Sequence, residues 1–460
     1  MEFEPAIPGR RLAISAGAAA LLAPLNSTMI AVALPVIRDE FNVGVVAVSW
    51  LVTSYLVAVA ISQPVGGRLG DAIGSLAVLR IGLLGMAACS VAAALSPSFE
   101  LLVLTRSLQG VAAALLIPSA TAYLRKSVTV RDLPGVLGTN GAMISAGAAL
   151  GPVAGGLILA VGGWHWLFLL NLPAVVAVWV LLLPLPADAG KGIATFRVDP
   201  ASLGALITAF TGLALLGSAL RSGNAAFPAV SVGLLVAGVA AYAWLFRASG
   251  QAVVDLNLFR APAFARSSAM TAVSNLVMYT ILVAMPVYLR DEREVGAATI
   301  GTLLFAMSAT SVMAAPVGGR VATRFGIRAG LVSGSGVLII ATAGVLGAVA
   351  ADGTYSLALP LALVGIGMGL AGAAQQSSGL AAWPVSLAGS AAGTLSFMRY
   401  VGSVAGASLL AAVLGREPGA GEFEALLAIL ACAALANGAL ALWGPGSRSR
   451  AGEQLAQSPA

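Results

Sequence analysis

Apolar runs of about twenty residues recur along the whole chain, and no other feature restricts its fold as much. A hydrocarbon layer ~30 Å thick is crossed by about that many helical residues, each rising ~1.5 Å. Within lipid the backbone must satisfy its own hydrogen bonds, so only helices and closed barrels span it. The runs are continuous and do not alternate with a period of two, which argues against a barrel. Of the 460 residues 59% are apolar and only 9% are charged, too few charges to cover a soluble protein of this length. The sequence therefore predicts an all-α integral membrane protein.

Fourteen spans are expected, at 13–36, 47–67, 77–96, 100–124, 136–160, 165–185, 200–220, 228–246, 268–289, 298–317, 329–350, 357–379, 389–413 and 424–443. Basic residues favour the cytoplasmic side of a membrane protein. With both termini inside, 17 of the 24 basic residues fall in cytoplasmic segments and five in outer loops. The last two, Arg106 and Arg399, lie within spans. The segment 253–264 is too short and too charged to cross, and its composition suggests an amphipathic piece on the cytoplasmic face. Few Lys among many Arg, with abundant Ala and Gly, point to a bacterial source and hence to the cytoplasmic membrane.

Other classes find little support. The net charge of +6 is spread over short loops, which does not suit a nucleic-acid binder. Cys89 and Cys432 both lie in apolar runs, so no disulfide framework is indicated. The first run continues too far to be a cleaved leader. The sequence offers no metal-ligand cluster, no nucleophile with a paired base and no phosphate-binding loop of the Walker type. It is therefore read as neither an enzyme nor an ATP-driven pump, with no cofactor. The single histidine, His165, sits between Trp164 and Trp166, where an aromatic belt at the membrane interface is expected.

An internal repeat organises the spans. PVGGRLGDAIG (64–74) and PVGGRVATRFG (316–326) share six of eleven positions, at the ends of the second and tenth spans. They imply two six-helix halves, spans 1–6 and 9–14, with spans 7 and 8 as an extra hairpin. The expected division is a cytoplasmic arm (1–12), a first bundle (13–185), a linker (186–199), the hairpin (200–246), an amphipathic linker (247–267), a second bundle (268–443) and a cytoplasmic tail (444–460). Two related bundles around a midplane site are the architecture of an alternating-access transporter. At the repeat, Gly67, Gly74 and Gly319 suit turns and close backbone approach. Arg68 and Arg320 can reach carbonyls or headgroups. Asp71 can accept hydrogen bonds from a helix N-terminus and so latch the cytoplasmic side.

Further motifs fall on successive spans: LNSTMIAVALP (25–35), RSLQG (106–110), GAALGPVAGG (147–156) and GGWHWLFLLNLP (162–173). Together with GRLGDAIG (67–74) they resemble the signatures of the major facilitator superfamily, in particular its fourteen-span drug:proton antiporter branch. The resemblance covers nearly the whole chain. It implies a 6 + 2 + 6 transporter that exports small amphiphiles of the drug or antibiotic kind. It also implies a substrate or proton-relay role for Arg106, with Gln109 and Gly110 one turn on, and a similar place for Arg399. The alternative for Arg106 is a guanidinium that bridges carbonyls between helices; for Arg399 it is a side chain that snorkels to the cytoplasmic surface.

In span five Gly147, Gly151 and Gly155 recur four apart, followed by Gly156, and Pro152 can bend the helix. Such a face suits a helix that moves against the opposite half; the alternative is ordinary tight packing. Trp50, Ser54 and Tyr55, Asn275 and Tyr279, and the pair Gln375 and Gln376 are candidates to line a central cavity, or else to join helices by hydrogen bonds.

The branch commonly carries an acid where this chain has Asn26. No acid lies deep in any span. An amide cannot exchange a proton at any reachable pH. The expected substrate is therefore a neutral, zwitterionic or anionic amphiphile, with Arg106 as the main charge in the cavity. Proton coupling would have to use Asp71, an acid at a span edge or the substrate. An uncoupled facilitator, or a non-transporting sensor on the same fold, is the alternative. The expected working unit is a monomer in the bilayer.

Overall fold

The computed structural model describes residues 9–43, 45–192, 196, 199–220, 226–249, 252–295, 297–351, 355–414 and 419–443. The tail expected at 444–460 and most of the arm expected at 1–12 lie outside the described residues. Sixteen α-helices occur among the described residues: α1 Gly9–Glu40, α2 Val45–Ile73, α3 Ser75–Ala94, α4 Phe99–Ala114, α5 Leu116–Ser127, α6 Leu133–Val161, α7 His165–Leu169, α8 Asn171–Leu182, α9 Pro200–Leu220, α10 Ala226–Ser249, α11 Pro262–Val287, α12 Ala297–Phe325, α13 Ile327–Ala350, α14 Ala358–Ala381, α15 Ala388–Val413 and α16 Ala420–Leu442. They make fourteen segments long and apolar enough to cross a membrane, because α4 with α5, and α7 with α8, each serve as one.

Helix ends follow local chemistry. Ser98 caps α4 by accepting the Leu101 N–H. Gly74 and Gly326, equivalent positions of the repeat, start α3 and α13 with φ of 98° and 94°, a region that a side chain would strain. In lipid, small residues let helix backbones approach closely. At Gly334 a Cβ would meet Ala371 of α14, and at Gly365 it would meet the Met307 carbonyl of α12.

The largest core cluster is centred on α1–α8, with Leu22, Val59, Leu83 and Leu124, and runs on into the second half at Phe264, Leu380 and Leu395. In α11–α16 the corresponding cluster includes Ile281, Leu338, Leu361 and Leu427. The hairpin α9–α10 lies beside α2 and α15: Phe210 packs on Phe397 with ring centroids 5.7 Å apart, in a cluster with Ala60 and Ile61.

Two expectations change here. The segment 253–264 does not lie on the surface as an amphipathic piece. Ala252, Val253, Val254 and Leu258 are buried, and only Leu256–Arg260 is helical before α11 begins, as a short 3-10 turn. The polar backbone of this strap is held by protein groups: the Val253 N–H donates to Ser202, the Tyr242 hydroxyl to the Val254 carbonyl, and Trp383 Nε1 to the Leu258 carbonyl.

The second change concerns the glycine stripe of α6. Gly147 lies against the Leu21 carbonyl, Gly151 against Thr28 and Gly155 against the Met29 carbonyl, all on α1. It is therefore a seam inside the first half, not a surface that moves against the second. Gly156 faces open space, and Pro152 is exposed.

Candidate functional site

The halves meet at the face of the bundle where α1 begins, hereafter the N-terminal face. There α2 crosses α15, and α6 crosses α12. Gly67 lies against the Gly389 carbonyl, and a Cβ at Gly393 would stand 2.7 Å from the Gln63 carbonyl. A Cβ at Gly138 would stand 2.7 Å from the Ala315 carbonyl, and one at Gly319 2.5 Å from that of Pro134. Asp71 spans the α2–α15 junction. One carboxylate oxygen accepts the Gly389 N–H at 2.7 Å; the other accepts the Ser390 N–H at 2.7 Å and the Ser390 hydroxyl at 2.6 Å. These are groups of the first turn of α15, whose N–H groups have no partners within the helix and whose dipole favours negative charge.

Neighbouring groups brace that junction. Arg68 donates to the Ala252 carbonyl of the strap. Arg125 Nε donates to the Leu380 carbonyl of the other half at 3.4 Å. Asp188 accepts from the N–H groups of Ser75 at 2.7 Å and Leu76 at 2.8 Å and pairs with Lys126 at 2.8 Å. Burial pushes the Asp188 carboxyl up, but the Leu76 N–H, Lys126 and the Ser75 N–H outweigh it and hold the group below its ordinary value. A cavity of about 160 Å³ bordered by Arg68, Asp71, Lys191 and Asp255 lies at this junction. Arg320 is exposed on the same face.

Away from that face the halves diverge. Residues seven apart share one side of a helix. On α2, Pro64 is buried, whereas Val57 is 37% and Trp50 54% exposed. On α12, buried Gly319 gives way to half-buried Val312 and then to Phe305, 51% exposed. The series Gly138, Ser145, Pro152 on α6 and Gly393, Tyr400, Ala407 on α15 run the same way. The sides of four helices that interlock at one face are thus open toward the other.

The polar side chains predicted to line this opening divide into two groups. Arg106, Gln109, Tyr55 and Asn26 do not line it, because each is enclosed within the first half. Arg106 is 0% exposed. Its Nε donates to the Leu51 carbonyl at 3.3 Å, its Nη1 donates to Gln109 at 2.6 Å, and its guanidinium carbon lies 4.3 Å from the Tyr55 ring centroid and 5.8 Å from that of Phe168. Gln109 and Asn171 both donate to Ser90, and Asn171 also donates to Asn26 at 3.2 Å. Aromatic faces, the Leu51 carbonyl and Gln109 surround this arginine in place of the cavity expected around it.

The second half repeats the motif with one change. Gln375 and Asn437 both donate to Ser274, at 3.0 and 2.8 Å. Gln375 and Asn437 stand as far along the chain from Gln109 and Asn171 as each other, 266 positions. The serine they share comes from α11, whereas Ser90 comes from α3. Gln375 and Gln376 are buried, and Asn275 is turned onto the Thr271 carbonyl of its own helix at 2.8 Å. Where Arg106 precedes Gln109 by three residues, Gly372 precedes Gln375, and a Cβ there would meet nothing within 4 Å.

Trp50, Ser54, Tyr279 and Arg399 retain some exposure. Arg399 lies near the middle of α15, too far from either end for its side chain to snorkel out. It is half-buried, whereas Arg106 is fully enclosed. Tyr400 beside it lies within electrostatic range of both Tyr55 and Tyr279. Ser90, Asn171, Ser274, Asn437, Gly372 and Tyr400 escaped the sequence reading. The paired spacing of the Gln and Asn residues was the one signal that pointed to some of them.

Comparison with known proteins agrees with this geometry. The sequence profile of the Major Facilitator Superfamily matches residues 16–407. An MFS-type transporter of Bacillus subtilis, YwoD, is 31% identical over 415 residues, covering 88% of this chain and 90% of the relative. The tetracenomycin C resistance and export protein of Streptomyces glaucescens is 27% identical over 415 residues, covering 89% and 76%. Among solved structures, the human organic anion transporter MFSD10 superposes with a TM-score of 0.68 at 16% identity, over 95% of this chain and 100% of that one, a likeness of fold.

Proposed function

The chain belongs to the major facilitator superfamily, and from that premise we propose that it exports small amphiphilic molecules across a bacterial cytoplasmic membrane by alternating access. One observation carries the reading: four helices interlock at the N-terminal face and diverge toward the other. With both termini cytoplasmic, as the distribution of basic residues favours, this is the outward-open stage of the cycle. Transport then requires the Asp71–Ser390 latch to open while the far ends of the same helices close.

The kinship with a tetracenomycin C exporter supports a drug-like cargo. Arg399 at mid-depth, with no carboxylate there among the described residues, favours neutral, zwitterionic or anionic amphiphiles over cations. Asn26 is an amide inside the first half, so any proton coupling runs through Asp71, an edge acid or the substrate itself. One chain suffices as the working unit, because the opening lies between its own halves.

Reconstitution in liposomes tests this. Flux of tetracenomycin C or a carboxylated fluorescent amphiphile should be protein-dependent and saturable. Strong extrusion of tetraphenylphosphonium driven by a pH gradient would overturn the substrate assignment. Binding of the same compounds without any flux would favour a sensor.

A further inference from the structure

We propose that the second half binds an anionic phospholipid, with the lipid phosphate between Arg266 and Arg328 at the N-terminal face. Arg266 lies near the start of α11 and Arg328 at the start of α13. Both reach the end of α16: Arg266 Nη1 donates to the Trp443 carbonyl at 2.5 Å, and Arg328 Nη2 donates to the Leu442 carbonyl at 3.1 Å. Consecutive Cα atoms are about 3.8 Å apart, so the two guanidinium groups are anchored at neighbouring points. Arg328 lies within electrostatic range of Arg266. Charge is not balanced there. The end of α16 supplies roughly half a negative charge, whereas the starts of α11 and α13 each supply roughly half a positive one. The two arginines add their full charges to that sum. Neither has a carboxylate within ion-pair distance among the described residues. The seven acids between 262 and 443 fall at 291–294, 352 and 417–424, at or beyond the far ends of these three helices.

The site is open to a ligand. Each of these bonds uses one of the five N–H groups that a guanidinium carries. Arg328 is exposed and Arg266 half-buried, so an anion reaches the pair from outside. Guanidinium forks match the oxygens of a phosphate in pairs. The surroundings distinguish a lipid from a soluble phosphate. Trp443 is exposed beside the pair, and Phe325, three residues before Arg328, is exposed too. Aromatic residues at the ends of spans mark the membrane interface. Leu435 and Leu442 lie seven apart, on one side of α16, and both are exposed. An apolar strip thus runs along α16 and ends at the arginines, which is how an acyl chain leads to its headgroup. Basic pockets between helices at the cytoplasmic side take up anionic headgroups in this way. The site depends neither on the cargo nor on the direction of transport.

The test is titration of the purified full-length protein in detergent with phosphatidylglycerol, phosphatidylcholine or inorganic phosphate. Native mass spectrometry counts the bound lipid, and thermal unfolding follows its effect. A ligand of the folded state raises the unfolding temperature saturably. The expected result is one retained phosphatidylglycerol and a saturable rise in unfolding temperature. Phosphatidylcholine brings its own positive charge and should bind about fivefold more weakly. Inorganic phosphate at the same concentrations should give no rise. Arg266→Gln and Arg328→Gln should each weaken phosphatidylglycerol binding about fivefold. Arg131→Gln, at an exposed position of the first half, should leave it unchanged. If Arg266→Gln does not fold, Arg328→Gln at its exposed position decides the matter. Equal binding of the two lipids would overturn the proposal, as would phosphatidylglycerol binding that Arg328→Gln leaves unchanged. So would a response to inorganic phosphate that matches the response to lipid, which would assign the arginines to a soluble anion.

Discussion

Asp71 and Ser390, 319 positions apart in the chain, share two hydrogen bonds: one carboxylate oxygen accepts the serine N–H at 2.7 Å and its hydroxyl at 2.6 Å. The pair ties the end of α2 to the start of α15, and its companion bond from Gly389 makes the carboxylate a cap on the whole first turn. Each half of the molecule supplies one side of this junction.

Asp71→Asn should therefore weaken the closed N-terminal face. The amide loses the charge and at least one of three acceptor contacts, and hydrogen bonds to charged groups contribute about 2 kcal/mol each. One such loss shifts the balance between the two openings about thirtyfold. A Cβ at Gly135 would lie 3.6 Å from the Thr323 hydroxyl, across the halves. Disulfide trapping between cysteines at these two positions should fall in the variant; unchanged trapping would show that the latch contributes little.

Two sets of glycines should respond differently to alanine. Gly67→Ala and Gly319→Ala place a methyl group against backbone of the opposite half, so they should disfavour the closed face and lower the same trapping, with little effect on unfolding. Gly155→Ala places it 2.7 Å from the Met29 carbonyl within one half. It should lower stability by about 1–3 kcal/mol, as overpacking does, and leave trapping of the folded fraction unchanged. Thermal unfolding and trapping, measured together, separate the two outcomes.

Asp188 gives a pH dependence with a definite sign. Its folded pKa lies below the ordinary value of 3.8. The stability it contributes is thus fully present above the unfolded value and is lost as pH falls through the lower folded value. Asp188→Asn should cost about 1–3 kcal/mol at neutral pH, and the gap from the parent should close only under acid conditions. A gap that stays constant down to the lowest pH at which the parent is folded would show that the carboxylate's charge is not what matters.

Arg399 and Gly372 should divide affinity by charge from affinity by size. Arg399→Gln should raise KM for an anionic amphiphile about tenfold, the equivalent of ~1.4 kcal/mol, and leave a neutral one nearly unchanged. Gly372→Phe fills open space, so it should exclude bulky cargo without lowering the unfolding temperature. Liposome flux with a matched anionic and neutral pair, and with a small and a bulky cargo, checks both.

Fourteen spans and a duplicated half were legible in the sequence because hydropathy and repetition are local properties: lipid acts on every exposed residue of a run alike. The carboxylate of Asp71 was legible as a helix-end acceptor, although its place in the last turn of α2, and not in a loop, was not. The partner of each helical face was not. The Gly147–Gly151–Gly155 stripe shows that two backbones touch, but nothing in its spacing tells α1 from α12. Arg106 and Arg399 are the same residue type, each within an apolar run, and one is sealed between Tyr55 and Phe168 while the other stays half-buried. Hydropathy averages around a helix and so cannot see its rotation. That rotation, set by packing against helices hundreds of residues away, decided which polar groups became core and which were left to meet a cargo.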